Sequence, residues 1–585
     1  MKKIFFSVAL LTAGMMFTSC SEDLLDTEQK GVGSSNNFFK TDADAQSSVT
    51  AMYDTYCGEI AGTEGIWNAY LTGINYHSDD VLAAGGGTDD HSNFRIMNEM
   101  RYDASSDAPN SLFNHIYLAV YTSNVIIENY GAGTSPAMKK AVAEARVMRA
   151  WAHMLAALVY YQPPLVDHIV DAGEYIANDK SQKDILNWCV KECEESMADL
   201  PDRNGPDDKA GAWVVTKGFA QFVAGKAALF AEDYQKCASV IKPLVESSNY
   251  ALVPGEKFRD LFHVEGDGCS EKIFEFNYVT NTSAAGGADA WRGGNNRGRW
   301  MVANVFNWRG DDIQGGGKNP QICSTSGWGG AAIQQDFAHK MLENDGDSYR
   351  RKATFLTSDE FFYDAKLCPW ADDKEAGGTL TTRAEKEKDP NRGIKNTNGS
   401  FSRSDVMEVK MMMHPNDADL AVGDNCNNTN VCLARLAEAY LIYAEACIQN
   451  GNLDEAQKYI RKIQDRAESK TKTESIASKE EGMKILMDEK QFELWFEGCR
   501  WFDIVRWGIA KQCFDKVLDN IPYQYDEYFT SGGAKPHKLV YEVRHPFAAI
   551  NITCKFTEGK NEYWPLPQNE LDVNKALKQV RGWAQ

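Results

Sequence analysis

The chain has 585 residues, 43% hydrophobic and 25% charged, with a formal net charge of −21 at pH 7. That is ample apolar material for a buried core, and so acidic a surface repels polyanions, which excludes nucleic acid as a partner. Past the N-terminus no run of 18 apolar residues occurs, so no spanning helix is expected there.

The first segment sets the compartment. Lys2 and Lys3 precede an apolar run from Ile4 to Phe17, interrupted only by Ser7, Thr12 and Gly14. This has the length of a signal-peptide core and is too short to cross a bilayer. Thr18 and Ser19 then lead into Cys20, an arrangement that resembles a bacterial lipobox, in which the thiol is lipidated and the chain is cut just before it. Acidic residues directly afterwards, Glu22 and Asp23, resemble a surface-export signal. Loss of residues 1–19, with two lysines and no acid, takes the formal charge to −23. The expected mature protein is tethered to a membrane through Cys20 and does not cross it.

Most of the remaining chain has helical periodicity. Thr41 and Asp42 are cap candidates for a helix running to Tyr56. Residues 110–130 are amphipathic over five turns, 137–161 form an Ala-rich helix that stops before Pro163, and 181–199 make another. Two stretches, 214–248 and 433–467, read as helix–turn–helix units of about 34 residues that resemble tetratricopeptide repeats. Small residues, Gly225 and Ala228 in one and Ala444 and Ala446 in the other, stand where paired helices must approach closely. Such units bury their apolar faces only by stacking, so flanking helices are expected to complete the array. Either one helical solenoid-like domain or two to four ordinary domains would suit the length.

Between the units the composition changes. Residues 281–330 hold twelve of the 46 glycines and four of the fourteen tryptophans, and 371–404 are almost wholly polar. Neither can build a core, so both are expected to be surface loops. Trp291, Trp300, Trp308 and Trp328 sit there among Arg292, Arg299, Arg309, Asp311 and several asparagines. Sugars present flat C–H faces to aromatic rings and hydroxyls to polar groups, so these residues are the candidate ligand contacts. Trp495, Trp501 and Trp507, at helical spacing, are expected in the core.

Chemistry beyond binding finds little support. Thirteen cysteines remain after Cys20, an odd number with no CxxC pair, and are read mainly as small buried residues; Cys426 and Cys432 are the one tempting local bridge. The ten histidines lack the spacing of a zinc site, and "NDGDSY" around Asp345 and Asp347 lacks the later Glu of a calcium loop, so no metal or cofactor is assigned. Glu489, Glu493 and Glu497 recur every four residues on one helical face, and glycosidases need paired carboxylates at a defined separation. Arg500, Asp503 and Arg506 continue the row, however, which favours an ion network.

Four segments share a pattern. "ILMDEKQFELWFEGCRWFDIVRWG" (485–508) is similar to the ELxFEGxRWFDxxRWG signature, "LARLAEAYLIYAEAC" to an RxAEVxLxYAEA helix, and "YWPLPQNELDVNKALKQ" to a PLPxxExxxNxxLxQ close. "GWGGAAIQQDFAHKMLENDGDSYRRKATF" resembles a looser PTQxLxDxYxxxDGDxRRxATI stretch. By these motifs the chain resembles the SusD/RagB family of outer-membrane nutrient-binding lipoproteins; Cys499 departs from the basic residue or His usual there. The resemblance implies a mainly α fold, with tetratricopeptide-like helices under an irregular ligand-binding half. It also implies a surface-exposed, outer-membrane protein that binds oligosaccharide without catalysis and partners a TonB-dependent β-barrel transporter. Residues 20–280, 281–425 and 426–585 are then the N-terminal helical part, the ligand-binding insert and the signature part. By analogy Phe94, in the loop 85–95, faces the insert. A peptide or glycoprotein binder on the same scaffold is the alternative, with a glycoside hydrolase behind it.

Overall fold

Several helices start at a side chain that caps them. The structure is a computed structural model that describes residues 38–58, 69–83, 92–277, 329–357, 360, 406–413, 416–417, 429–517, 521–526, 534–535, 539–544 and 556–583. At α1 (Asp42–Tyr56) the Thr41 hydroxyl accepts from the Asp44 amide at 3.1 Å, and the Asp44 carboxylate accepts from the Thr41 amide at 2.9 Å. This reciprocal box satisfies two amides that the first turn leaves open. Then come α2 (Ser92–Asn98), α3 (Asp107–Tyr130) and α4 (Pro136–Tyr160), the last capped by Ser135 with proline in its first turn. Ser181 and Asp184 form a second capping box at α5 (Gln182–Ser196).

The two repeat-like stretches are helix hairpins. The first is α6 (Lys217–Phe230) with α7 (Tyr234–Val245). After α8 (Gln335–Asp345) and α9 (Tyr349–Thr354), the second is α10 (Leu436–Gln449) with α11 (Leu453–Ala467). A Cβ on Gly225 would lie 3.0 Å from the Cβ of Ile241, so glycine lets α6 and α7 close up. The chain continues through α12 (Lys479–Glu493), α13 (Arg500–Arg506), α14 (Ala510–Val517) and α15 (Gln568–Val573).

Stacking follows chain order with one jump. α3 packs on α4, α4 on α5, α5 on α6 and α6 on α7; α7 then packs on α10, and α10 on both α11 and α12. Residues 246–435 therefore leave the helical stack between two adjacent units and return to it. α10 is enclosed by this arrangement, with every residue from Leu436 to Ile448 buried. The fold is the expected mainly α scaffold.

Four two-stranded antiparallel ladders decorate it among the described residues. β1 (Val81–Ala83) pairs with β3 (Ala331–Ile333), β2 (Lys272–Phe276) with β6 (Val431–Arg435), β4 (Phe355–Thr357) with β5 (Val406–Glu408), and β7 (Ile521–Asp526) with β8 (Leu539–Arg544).

The signature tryptophans divide. Trp495 and Trp501 are buried as expected, and Trp501 stacks on His77 at 4.2 Å and on the equally buried Trp564 at 5.3 Å. Trp507 is only half-buried, contrary to the expected core position: it stands at the C-terminal cap of α13, where its indole N–H donates inward to the buried Glu445 carboxylate at 2.9 Å. Cys432, the member of the tempting bridge that lies within the described residues, carries a free thiol.

Candidate functional site

The expected sugar contacts Trp291, Arg292, Arg299, Trp300, Trp308, Arg309, Asp311 and Trp328 lie outside the described residues, as does the lipidation candidate Cys20. Phe94 falls in the first turn of α2, and its side chain lies outside the described set. What the structure does place are the points where these segments join the scaffold.

Those points come together. Ala83, the last residue before the segment 84–91, pairs with Ala331, which follows the tryptophan-rich segment almost at once. At the other end of that segment, Phe276 pairs with Val431. β5 also lies against β3. One side chain secures the first pair: the Asn98 amide nitrogen donates to the Tyr76 and Val81 carbonyls, both at 3.0 Å, while its oxygen accepts from the Ala83 amide at 3.2 Å. The Tyr76 hydroxyl donates to the Gly330 carbonyl at 2.8 Å. The Asp80 carbonyl accepts from the Gln334 amide and the Trp495 indole, and Arg500 grips the Asp79 carboxylate through two bonds of 2.7 Å. The strand that precedes residues 84–91 and the strand that follows the tryptophan-rich segment are thus held side by side against the signature part.

Beneath them lies a buried ion network. Arg435, at the end of β6, donates to Glu493 at 2.7 Å, Glu271 at 2.9 Å and Glu497 at 2.6 and 2.8 Å. Arg466 joins Glu271 to Glu493, and Arg350 joins Asp345 and Glu489 to Glu493. Lys410 donates to Glu497 and to the carbonyls of Glu493 and Trp495. Burial alone would raise the Glu493 pKa, but Arg466, Arg435 and Arg350 outweigh it and hold the carboxyl well below the usual range. Glu497 is lowered too, burial being overcome by Arg435 and Lys410, whereas burial wins at Glu489 and raises it despite Arg350.

This settles the glutamate row. Glycosidic chemistry needs two carboxyls flanking a substrate cleft, one of them able to hold a proton. Glu493 is fully buried, ionised and shared by three guanidinium groups, and Glu497 is shared by two cations, so the row is structural. Its residues do not share one helix either. α12 ends at Glu493, and Phe496 and Gly498 turn the chain with φ of +62° and +73° before α13. Asp345 accepts from Arg350, while Asp347, exposed, pairs with Arg351. The residues that complete this network, Glu271, Arg350, Lys410, Arg435 and Arg466, were not singled out from the sequence. They are isolated charges scattered over some 200 positions, and the one available clue was that Arg350, Arg435 and Glu493 fall inside the recurring motifs.

A model of the SusD family matches residues 271–583. A SusD-like protein P2 of Formosa agariphila is 23% identical over 527 residues, covering 88% of this chain and 92% of that protein. Among solved structures, a laminarin-binding SusD-like protein superposes with a TM-score of 0.67 at 20% identity, covering 93% of this chain and 100% of the other. Surface glycan-binding protein A from Bacteroides thetaiotaomicron, solved with laminarihexaose, gives a TM-score of 0.65 at 17% identity, covering 92% and 99%.

Proposed function

From the fact that the chain belongs to the SusD family, we propose that it is a surface lipoprotein that binds oligosaccharide and passes it to a TonB-dependent outer-membrane transporter. The observation that supports this reading is a shared anchorage: the Ala83–Ala331 pair joins the strand that enters the segment 84–91 to the strand that follows the tryptophan-rich segment. On this reading both segments address one ligand. Residues 281–425 are then the ligand-binding half, with Trp291, Trp300, Trp308 and Trp328 as stacking groups. Arg292, Arg299, Arg309 and Asp311 supply hydroxyl partners. Support for a sugar comes from two similar folds, one described as laminarin-binding and one solved with laminarihexaose. No helix among the described residues is long and apolar enough to cross a membrane, which fits a tether at Cys20.

A glycan array probed with the chain lacking residues 1–20, with laminarin oligosaccharides included, tests the reading. Binding to at least one glycan is expected, with no reducing sugar released on long incubation. Alanine replacement of at least two of the four tryptophans should weaken binding about tenfold or more. Binding to peptides and to no glycan would sink it.

A further inference from the structure

At the far end of α4 the backbone adopts a rare shape. Tyr161 has φ 64° and ψ −63°, and the Gln162 amide donates to the Tyr160 carbonyl at 2.7 Å. A one-residue turn of this hand is strained, and a side chain beyond Cβ makes it worse. Glycine would take this position freely. The ring held there is not lost in the core. Tyr161 is half-buried and lies 4.8 Å from the half-buried ring of Tyr563, the planes 42° apart. Its hydroxyl has no hydrogen-bond partner among the described residues.

Rigid elements hold the pair. The Trp564 amide donates to the Val159 carbonyl at 2.8 Å, fixing the closing segment against the last turn of α4. Gln182, at the start of α5, donates to the Ala157 carbonyl at 2.9 Å, tying α5 to the same turn of α4. Two tilted phenol rings, a free hydroxyl and a nearby amide offer an apolar face edged with hydrogen-bonding groups. Strain retained at such a spot points to use of the ring rather than to economy of folding.

We propose that Tyr161 and Tyr563 form a second carbohydrate-contact surface, built from residues other than those of the tryptophan-rich segment, that takes neutral sugar rings against its paired faces. The proposal rests on the glycan reading above and adds a place for it. A chain with two contact areas holds a polysaccharide at two points, which raises its effective concentration at the second once the first is filled.

Affinity electrophoresis of the mature chain in native gels containing laminarin, xylan or mannan tests it. The double variant Tyr161→Gly with Tyr563→Ala should bind the retarding polysaccharide at least about threefold more weakly than wild type. Tyr563→Phe, which keeps the ring, should bind as wild type does. Tyr161→Gly alone should melt at the same or a higher temperature, since it relieves the turn. Unchanged retardation of the double variant overturns the second surface and leaves the glycan reading standing. A wild-type chain retarded by none of the three overturns both. Weaker retardation accompanied by a lower melting temperature for Tyr161→Gly assigns the pair to packing and also overturns the proposal.

Discussion

Arg435 shows how much one side chain can hold together. It is buried, and its guanidinium serves Glu271 just before β2, Glu493 of α12 and Glu497 in the following turn. Removing it leaves three buried carboxylates short of a partner, which costs about 3–5 kcal/mol where such pairs have been broken. Arg435→Met should therefore lower the urea midpoint sharply at an unchanged slope, and a loss under about 1 kcal/mol would mean that the network is screened by water. His77 adds a pH dependence. Stacked on Trp501, with its Nδ1 accepting from the Trp564 indole at 2.8 Å, it is fully buried, and burial depresses its pKa to about 3 from 6.5. A folded pKa below the unfolded one means that the unfolded chain takes up the proton first. The contribution is complete above pH 6.5 and is lost as pH falls toward 3, up to roughly 5 kcal/mol. Glu408 runs the other way. Burial raises it to about 8, so its contribution is complete below about pH 4.5 and is lost as pH rises to 8. Urea unfolding of wild type and Glu408→Gln between pH 6 and 8 checks this: the variant should lose less stability across that range.

At the level of elements, short strands need help. β1 and β3 have three residues each, too few to persist as an isolated pair. Asn98, from α2, supplies the missing bonds by bridging the two sides of β1. Asn98→Leu keeps the volume and removes all three bonds, leaving buried carbonyls unsatisfied. Hydrogen exchange at the Ala83 amide should accelerate at least about tenfold, while amides of α10 keep their protection. Equal protection of Ala83 in the variant would show that β1 stands without the clasp. If the proposed function is right, the same variant also weakens glycan binding, since the two ligand segments lose their common mooring.

For the whole molecule, the helical stack is continuous while the chain that builds it is not. Residues 246–435 leave between α7 and α10, and the buried network ties this excursion back through Glu271, Arg350 and Lys410. Two acyl chains or more at Cys20 would make the tether effectively permanent, at about 0.8 kcal/mol per buried CH₂. Cys20→Ala should release the protein from membranes with its fold unchanged, as read by fractionation and circular dichroism. The wild-type chain, extracted gently at native expression, should bring down a β-barrel transporter. Repeated recovery alone would contradict the partnership.

The sequence by itself determined what depends on neighbours along the chain. The cap at Thr41, the hairpins around 214–248 and 433–467, and the burial of Trp495 and Trp501 follow from local hydrogen bonding and from apolar spacing at the helical period. Trp507 breaks that pattern because the helix has already ended: it is the C-cap of α13 and the chain turns at Gly508 with φ of +71°, so the helical period no longer sets its burial. Only the tertiary structure decided which charges meet. Glu271, Arg350 and Arg435 look like ordinary polar residues one at a time, and apart from the local Arg350–Asp345 pair their partners in the network lie 58 to 195 positions away. Likewise, Tyr161 and Tyr563 are paired by the closing segment folding onto the end of α4. A contact of that kind has no period and no spacing, because loop closure over hundreds of residues is set by what packs between its ends.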